Sequence, residues 1–139
     1  MVLILWLVIL GPLRSFWINV GGLLNSEFDQ PALASSADWL TYKRWTWIVW
    51  LFSAGIAISA GYRLWRHHRK TSVGFAMLAL WAAGPGALLG YLAVTALVYG
   101  RMTTASPTAL ILGATASCLF AAAWTVYLKR SRRIALTYS

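Results

Sequence analysis

The chain has 139 residues, of which 60% are hydrophobic and only 11% charged, against about 25% charged in an ordinary soluble domain. So small a fold cannot hide that much apolar surface in its own interior, which excludes a free-standing soluble domain and leaves one compact unit whose surplus faces lipid. The net charge of +9 would suggest nucleic acid in a soluble protein, but eight of the twelve basic residues stand in two groups, Arg63, Arg66, Arg69 and Lys70, then Lys129, Arg130, Arg132 and Arg133. Both groups directly follow apolar runs, the arrangement of cytoplasmic loops that also meet anionic headgroups, so no nucleic-acid partner is expected.

A membrane-spanning helix needs roughly 20 mostly apolar residues to cross about 30 Å of hydrocarbon. Four stretches qualify, at about 2–24, 45–65, 73–99 and 107–128. The expected fold class is therefore all-α, an integral membrane four-helix bundle forming one transmembrane domain with its N and C termini cytoplasmic. The segment Val2 to Leu10 has the length of a signal-peptide core, but no basic residue precedes it and no Ala-x-Ala site follows directly after it, so it reads as a retained span.

Gly11-Pro12 interrupts this first span, and Arg14 is the one ionisable residue well inside an apolar stretch. At about 1.5 Å per residue Arg14 lies roughly 20 Å from Met1, where a charge is disfavoured unless it finds the interface or a partner. Two readings follow. Arg14 snorkels outward towards Glu27 or Asp29, or it is an intramembrane polar anchor for a lipid phosphate, a quinone-like oxygen or a buried group on another subunit. Asn19, about one and a half turns on, extends the same polar patch.

All three acidic residues, Glu27, Asp29 and Asp38, fall in the long connection at 25–44. Within it Ser35-Ser36-Ala37-Asp38 resembles a helix-capping sequence, followed by Trp39, Leu40 and Tyr42. Either a short interfacial helix lies there with its aromatic face on the headgroups, or the loop is irregular. Trp17, Trp39, Trp45 and Trp47 fall near the outer boundary and Trp65 and Trp124 near the inner one, as aromatic belts require.

Small residues recur at helical spacing in the later spans. Ser53, Ala57 and Gly61 form one stripe, Ala82, Gly86 and Gly90 a second, and Gly113, Ser117 and Ala121 a third. Small residues in this register let helices approach closely, either within the bundle or against a partner. Pro85, in Gly84-Pro85-Gly86, removes a backbone donor and should kink the third helix. Gly11-Pro12 and Gly84-Pro85 fall at similar depths, and paired breaks of this kind can mark a substrate site in transporters or an ancestral duplication.

Absences narrow the chemistry. No Asp or Glu lies in any span, so the embedded carboxylate of a proton-driven exporter is missing. His67 and His68 are adjacent, and side chains about 100° apart cannot sandwich one haem within a chain. No HExxH, P-loop or nucleophile-elbow pattern occurs. Cys118, the single cysteine, cannot form an intrachain disulfide or a cysteine-based metal site. No catalytic residue, metal site or resident cofactor is expected, although lipid or quinone binding stays open.

Two stretches resemble a known family. Trp124-Thr-Val-Tyr127-Leu-Lys-Arg-Ser131-Arg132-Arg133-Ile134-Ala-Leu-Thr137-Tyr138 is similar to the closing segment of the bacterial domain-of-unknown-function family 2569, and Leu3-Ile4-Leu5 with Pro12-Leu13-Arg14 resembles its first helix. The Gly-Gly-Trp lead-in usual in that family is replaced by a start inside the helix. The resemblance implies a small, multi-pass, four-helix protein of the bacterial inner membrane, with no enzymatic residues to carry over.

The expected function is a non-catalytic accessory or assembly subunit that packs on a larger inner-membrane complex through its small-residue stripes. Arg66, Arg69, Lys70, Lys129, Arg130, Arg132 and Arg133 would meet anionic lipid. A small oligomeric transporter or channel, or a pigment- or quinone-binding subunit of an energy-transducing complex, are the alternatives, and a homo-oligomer fits the transporter reading.

Overall fold

A computed structural model describes residues 1–67, 69–100, 107–131, 134 and 136. Four helices account for nearly all of them: α1 (Val2–Asp29), α2 (Ala37–Arg66), α3 (Lys70–Tyr99) and α4 (Pro107–Arg130). Each carries a window long and apolar enough to cross a membrane, which makes this a multi-pass membrane protein of the all-α class. No strand occurs among the described residues.

The helices are longer than the spans read from hydropathy. α1 and α3, of 28 and 30 residues, measure about 42 and 45 Å at 1.5 Å per residue, well beyond about 30 Å of hydrocarbon. Their ends therefore reach the headgroup layer. The clearest departure is at 37–44. Ser36 takes the extended backbone of an N-cap and Asp38 sits in the first turn, favourable to the positive end of the helix dipole, so the capping sequence does start a helix. That helix never stops at the membrane surface; it continues without a break to Arg66. A separate interfacial helix and an irregular loop are thereby both replaced, and only the short 3-10 turn Pro31–Ser35 joins α1 to α2.

Adjacent helices are antiparallel, as the contact register shows. Gly61 of α2 lies against Leu7 of α1 near one end, Trp50 meets Ser15 in the middle, and Lys43 meets Glu27 at the other end. The same descending register joins α2 to α3 through Arg63 over the Phe75 ring, Val49 against Gly90 and Tyr42 against Tyr99. α4 packs on α3, with Ser117 at Gly84 and Trp81 Nε1 donating to Thr125 Oγ1 at 3.1 Å. α2 and α3 are thus the centre, α1 flanks α2, and α4 flanks α3. The tilted contact of Trp6 with Phe120, with centroids 5.0 Å apart, brings α1 and α4 together at the end that carries Met1 and Arg130.

That end holds the core. Leu3, Leu7, Ala57, Ala60, Leu64, Val73, Ala76, Ala79, Leu80, Ala121 and Leu128 form one buried cluster. Alanine at the crossing positions, with Ala60, Ala76 and Ala79 fully buried, lets backbones close in where no hydrophobic driving force separates protein from lipid tails. Gly61 is the tightest seat: a Cβ there would collide with the Val8 side chain and come within 3.3 Å of Leu7 Cβ.

Both Gly-Pro breaks become π turns rather than chain breaks. The first covers Trp6–Leu10, immediately before Gly11-Pro12, and the second covers Ala82–Gly86 and contains Pro85. A proline cannot donate to the carbonyl four residues back and its ring crowds that carbonyl; widening the helix by one residue relieves the clash. At the first turn the Gly11 N–H donates to the Trp6 carbonyl, five residues earlier. A Cβ on Gly11 would lie 2.9 Å from that oxygen, and one on Gly86 would lie 3.1 Å from the Trp81 oxygen. Glycine and proline are a matched set in these turns.

Candidate functional site

The charges divide between the two ends of the bundle. α2 ends at Arg66, α3 begins at Lys70 and α4 ends at Arg130, so Arg66, Arg69, Lys70, Lys129 and Arg130 gather, exposed, at the end that carries Met1. Arg132, Arg133 and His68 lie outside the described residues. Glu27, Asp29 and Asp38 lie at the opposite end, by the 3-10 turn. His67 follows the last residue of α2 and is exposed. No cluster of three or more His, Cys, Asp or Glu that could hold a metal occurs among the described residues.

The small-residue stripes separate into different roles. Gly90 is packed inside the chain, where a Cβ would touch Val49 at 3.1 Å, and Ala121 is buried in the core. Gly84, rather than Gly86, makes the close approach to α4, with Ser117 Oγ 3.0 Å from its would-be Cβ. Gly86 is exposed and meets only the carbonyl of its own π turn, while Ala82 is half-buried in that turn. Gly113 is exposed with open space around it. Periodicity alone could not distinguish a glycine that accommodates a neighbour from one that accommodates its own helix.

Arg14 lies at the midpoint of α1, on an exposed face shared with Leu10, Leu13, Trp17 and Ile18. The acids considered as its partners do not reach it. Glu27 lies 13 residues further along the same helix, about 20 Å away, and its Oε1 already accepts Lys43 Nζ at 2.7 Å and Trp39 Nε1 at 2.8 Å. Among the described residues Arg14 has neither an ion pair nor a hydrogen bond. Asn19 does not extend an Arg14 patch. It turns inward and donates from Nδ2 to the Tyr91 hydroxyl at 2.9 Å.

Asn19 instead belongs to a feature that hydropathy could not show. Above the core, α1, α2 and α3 diverge and enclose a cleft of about 610 Å³. Its deeper walls include Asn19, Gly22, Thr46 and Thr95, and its mouth includes Asp29, Trp39, Tyr42 and Tyr99. Trp39 is buried at 6% exposure, held by Glu27 and stacked on Tyr42, whose ring lies 5.6 Å from that of Tyr99. An aromatic expected to lie on the headgroups is thus part of the wall. Its indole N–H and ring are satisfied inside the protein because α2 begins early enough to bring it back over α1.

Thr46 is the anomaly in this cleft. Thr41, Thr95 and Thr125 each donate their hydroxyl to the carbonyl four residues earlier. Thr46, only 3% exposed, has an Oγ1 with no partner among the described residues, which is costly for a buried hydroxyl. Neither π turn contributes to this cleft or to the smaller one beside it, and α2 lies between the two turns, packed against both. No protein-family model, curated protein or solved structure matches the chain.

Proposed function

We infer that this protein is a non-catalytic accessory or assembly subunit of a larger complex in the bacterial inner membrane, with both termini cytoplasmic. The observation that carries the reading is Arg14. A guanidinium at mid-helix, on an outward apolar face and without an acceptor among the described residues, costs at least about 2.5 kcal/mol at the centre of a bilayer. A carboxylate or a free carbonyl on a neighbouring subunit offsets that cost, and the flanking Leu10, Leu13, Trp17 and Ile18 supply the apolar contact around it. α4 supports the same view, since almost none of its most apolar window is covered by its own chain. The basic end of the bundle then faces the cytoplasmic leaflet, where anionic headgroups attract it.

A small transporter is the weaker reading. The cleft at the acidic end stops above the apolar cluster of Ala60, Ala76 and Ala79, and neither Gly-Pro turn opens into it. The test is purification in a mild detergent at native expression, with mass spectrometry of the co-purifying proteins, for wild type, Arg14→Lys and Arg14→Leu. A planar bidentate donor suits a carboxylate better than an ammonium does, so Arg14→Lys should retain part of a stoichiometric partner and Arg14→Leu almost none. An Arg14→Leu protein that keeps the partner at wild-type yield, or a wild type that purifies only with copies of itself, ends this reading.

A further inference from the structure

We propose that the cleft between α1, α2 and α3 binds a small hydroxylated organic cation, with its ammonium at the mouth and its hydroxyl directed to Thr46. Three independent features of the cleft lead there. The wall of the mouth is aromatic on one side, formed by Trp39, Tyr42 and Tyr99, and aromatic faces attract alkylammonium groups through their quadrupoles. Asp29 adds a carboxylate to the lining. Glu27 is neutralised by Lys43, whereas no ion pair is formed by Asp29 among the described residues. In a chain of net charge +9, this end alone collects the acids.

The third feature is the unpaired Thr46 hydroxyl. Its side chain lines the cleft, and a one-third turn about χ1 moves the hydroxyl to another staggered position, where a ligand hydroxyl can meet it; threonine in helices occupies two such rotamers. The route inward is kept open by Gly22, around which a Cβ would find nothing within 4 Å. Because α1 and α3 outrun the hydrocarbon layer, the mouth lies at headgroup depth. The ammonium is therefore offered both by a free cation such as choline and by the choline or ethanolamine headgroup of a lipid, in which the hydroxyl is esterified and a phosphate ester oxygen takes its place as acceptor for the Thr46 hydroxyl.

The test uses the full chain in maltoside micelles, titrated with choline, with its neutral isostere 3,3-dimethylbutan-1-ol, and with tetramethylammonium, while tryptophan fluorescence and calorimetry are followed. Choline should bind at least about tenfold more tightly than the isostere, in keeping with the worth of a desolvated cation–π contact. Asp29→Asn should remove most of that preference. Thr46→Val should weaken choline but leave tetramethylammonium unchanged, because only choline carries a hydroxyl. Gly22→Phe should abolish binding with helicity and melting intact, since its ring fills open space. A lipid source shows as a choline or ethanolamine phospholipid retained by wild type through purification and lost from Gly22→Phe. Equal binding of choline and its isostere, binding that survives Gly22→Phe, or neither cation binding nor lipid retention overturns the proposal.

Discussion

Gly61→Ala probes the tightest contact in the bundle. The added Cβ would overlap the Val8 side chain, lie 3.3 Å from Leu7 Cβ and 3.5 Å from the Ile4 carbonyl oxygen. Val8 is β-branched and stiff at χ1, and two of the three neighbours are backbone or Cβ atoms, so little can rotate away. Overpacking of this kind costs about 1–3 kcal/mol, while replacing a helical glycine by alanine returns up to about 1 kcal/mol. The control is Gly113→Ala, where the Cβ enters open space and only the favourable term applies. The two variants should therefore differ by about 1–3 kcal/mol in unfolding free energy, read from reversible denaturation in mixed micelles by loss of helical circular dichroism. Val8→Ala in the Gly61→Ala background should restore most of the loss. Equal stability of the Gly61 and Gly113 variants, or no rescue by Val8→Ala, would refute the close approach of α1 to α2.

The remaining predictions concern the cleft floor and the orientation of the chain. A double-mutant cycle of Asn19→Leu and Tyr91→Phe should give a coupling near about 0.6 kcal/mol, the average for hydrogen bonds between membrane helices; a coupling of zero would show that the 2.9 Å bond contributes nothing. Tags inserted after Arg69 or fused after Ser139 should be reached by an impermeant reagent only in opened cells, and a tag at Ser35 in intact cells. Labelling at Arg69 in intact cells would invert the topology.

Much of the architecture was legible in the chain because lipid imposes a one-dimensional rule. About 20 apolar residues in a row must be helical, since no water is present to satisfy an exposed backbone. The four helices and the basic groups at the ends of α2 and α4 follow from that rule. Helix limits were less legible. Hydropathy falls where a helix leaves the hydrocarbon, yet the helix itself continues, which is why α2 begins at Ala37 instead of near residue 45. The Gly-Pro pairs announced local disturbance, but that each is accommodated by a π turn depends on neighbouring backbone that periodicity does not contain.

For the site, the sequence by itself determined that Arg14 is an ionisable group stranded within an apolar stretch, and that the acids collect away from the basic groups. Both are matters of order along the chain. Tertiary structure alone decided who meets whom. It spent Glu27 on Lys43 and Trp39, turned Asn19 towards Tyr91 rather than towards Arg14, and left the Thr46 hydroxyl unpaired beside a cleft. The physical reason is rotation. Residues a turn and a half apart on one helix face different neighbours, and which neighbour each one finds depends on how α1, α2 and α3 are turned about their own axes. The small residues at Gly61, Ala76 and Gly90 set that rotation through contacts between segments far apart in the chain.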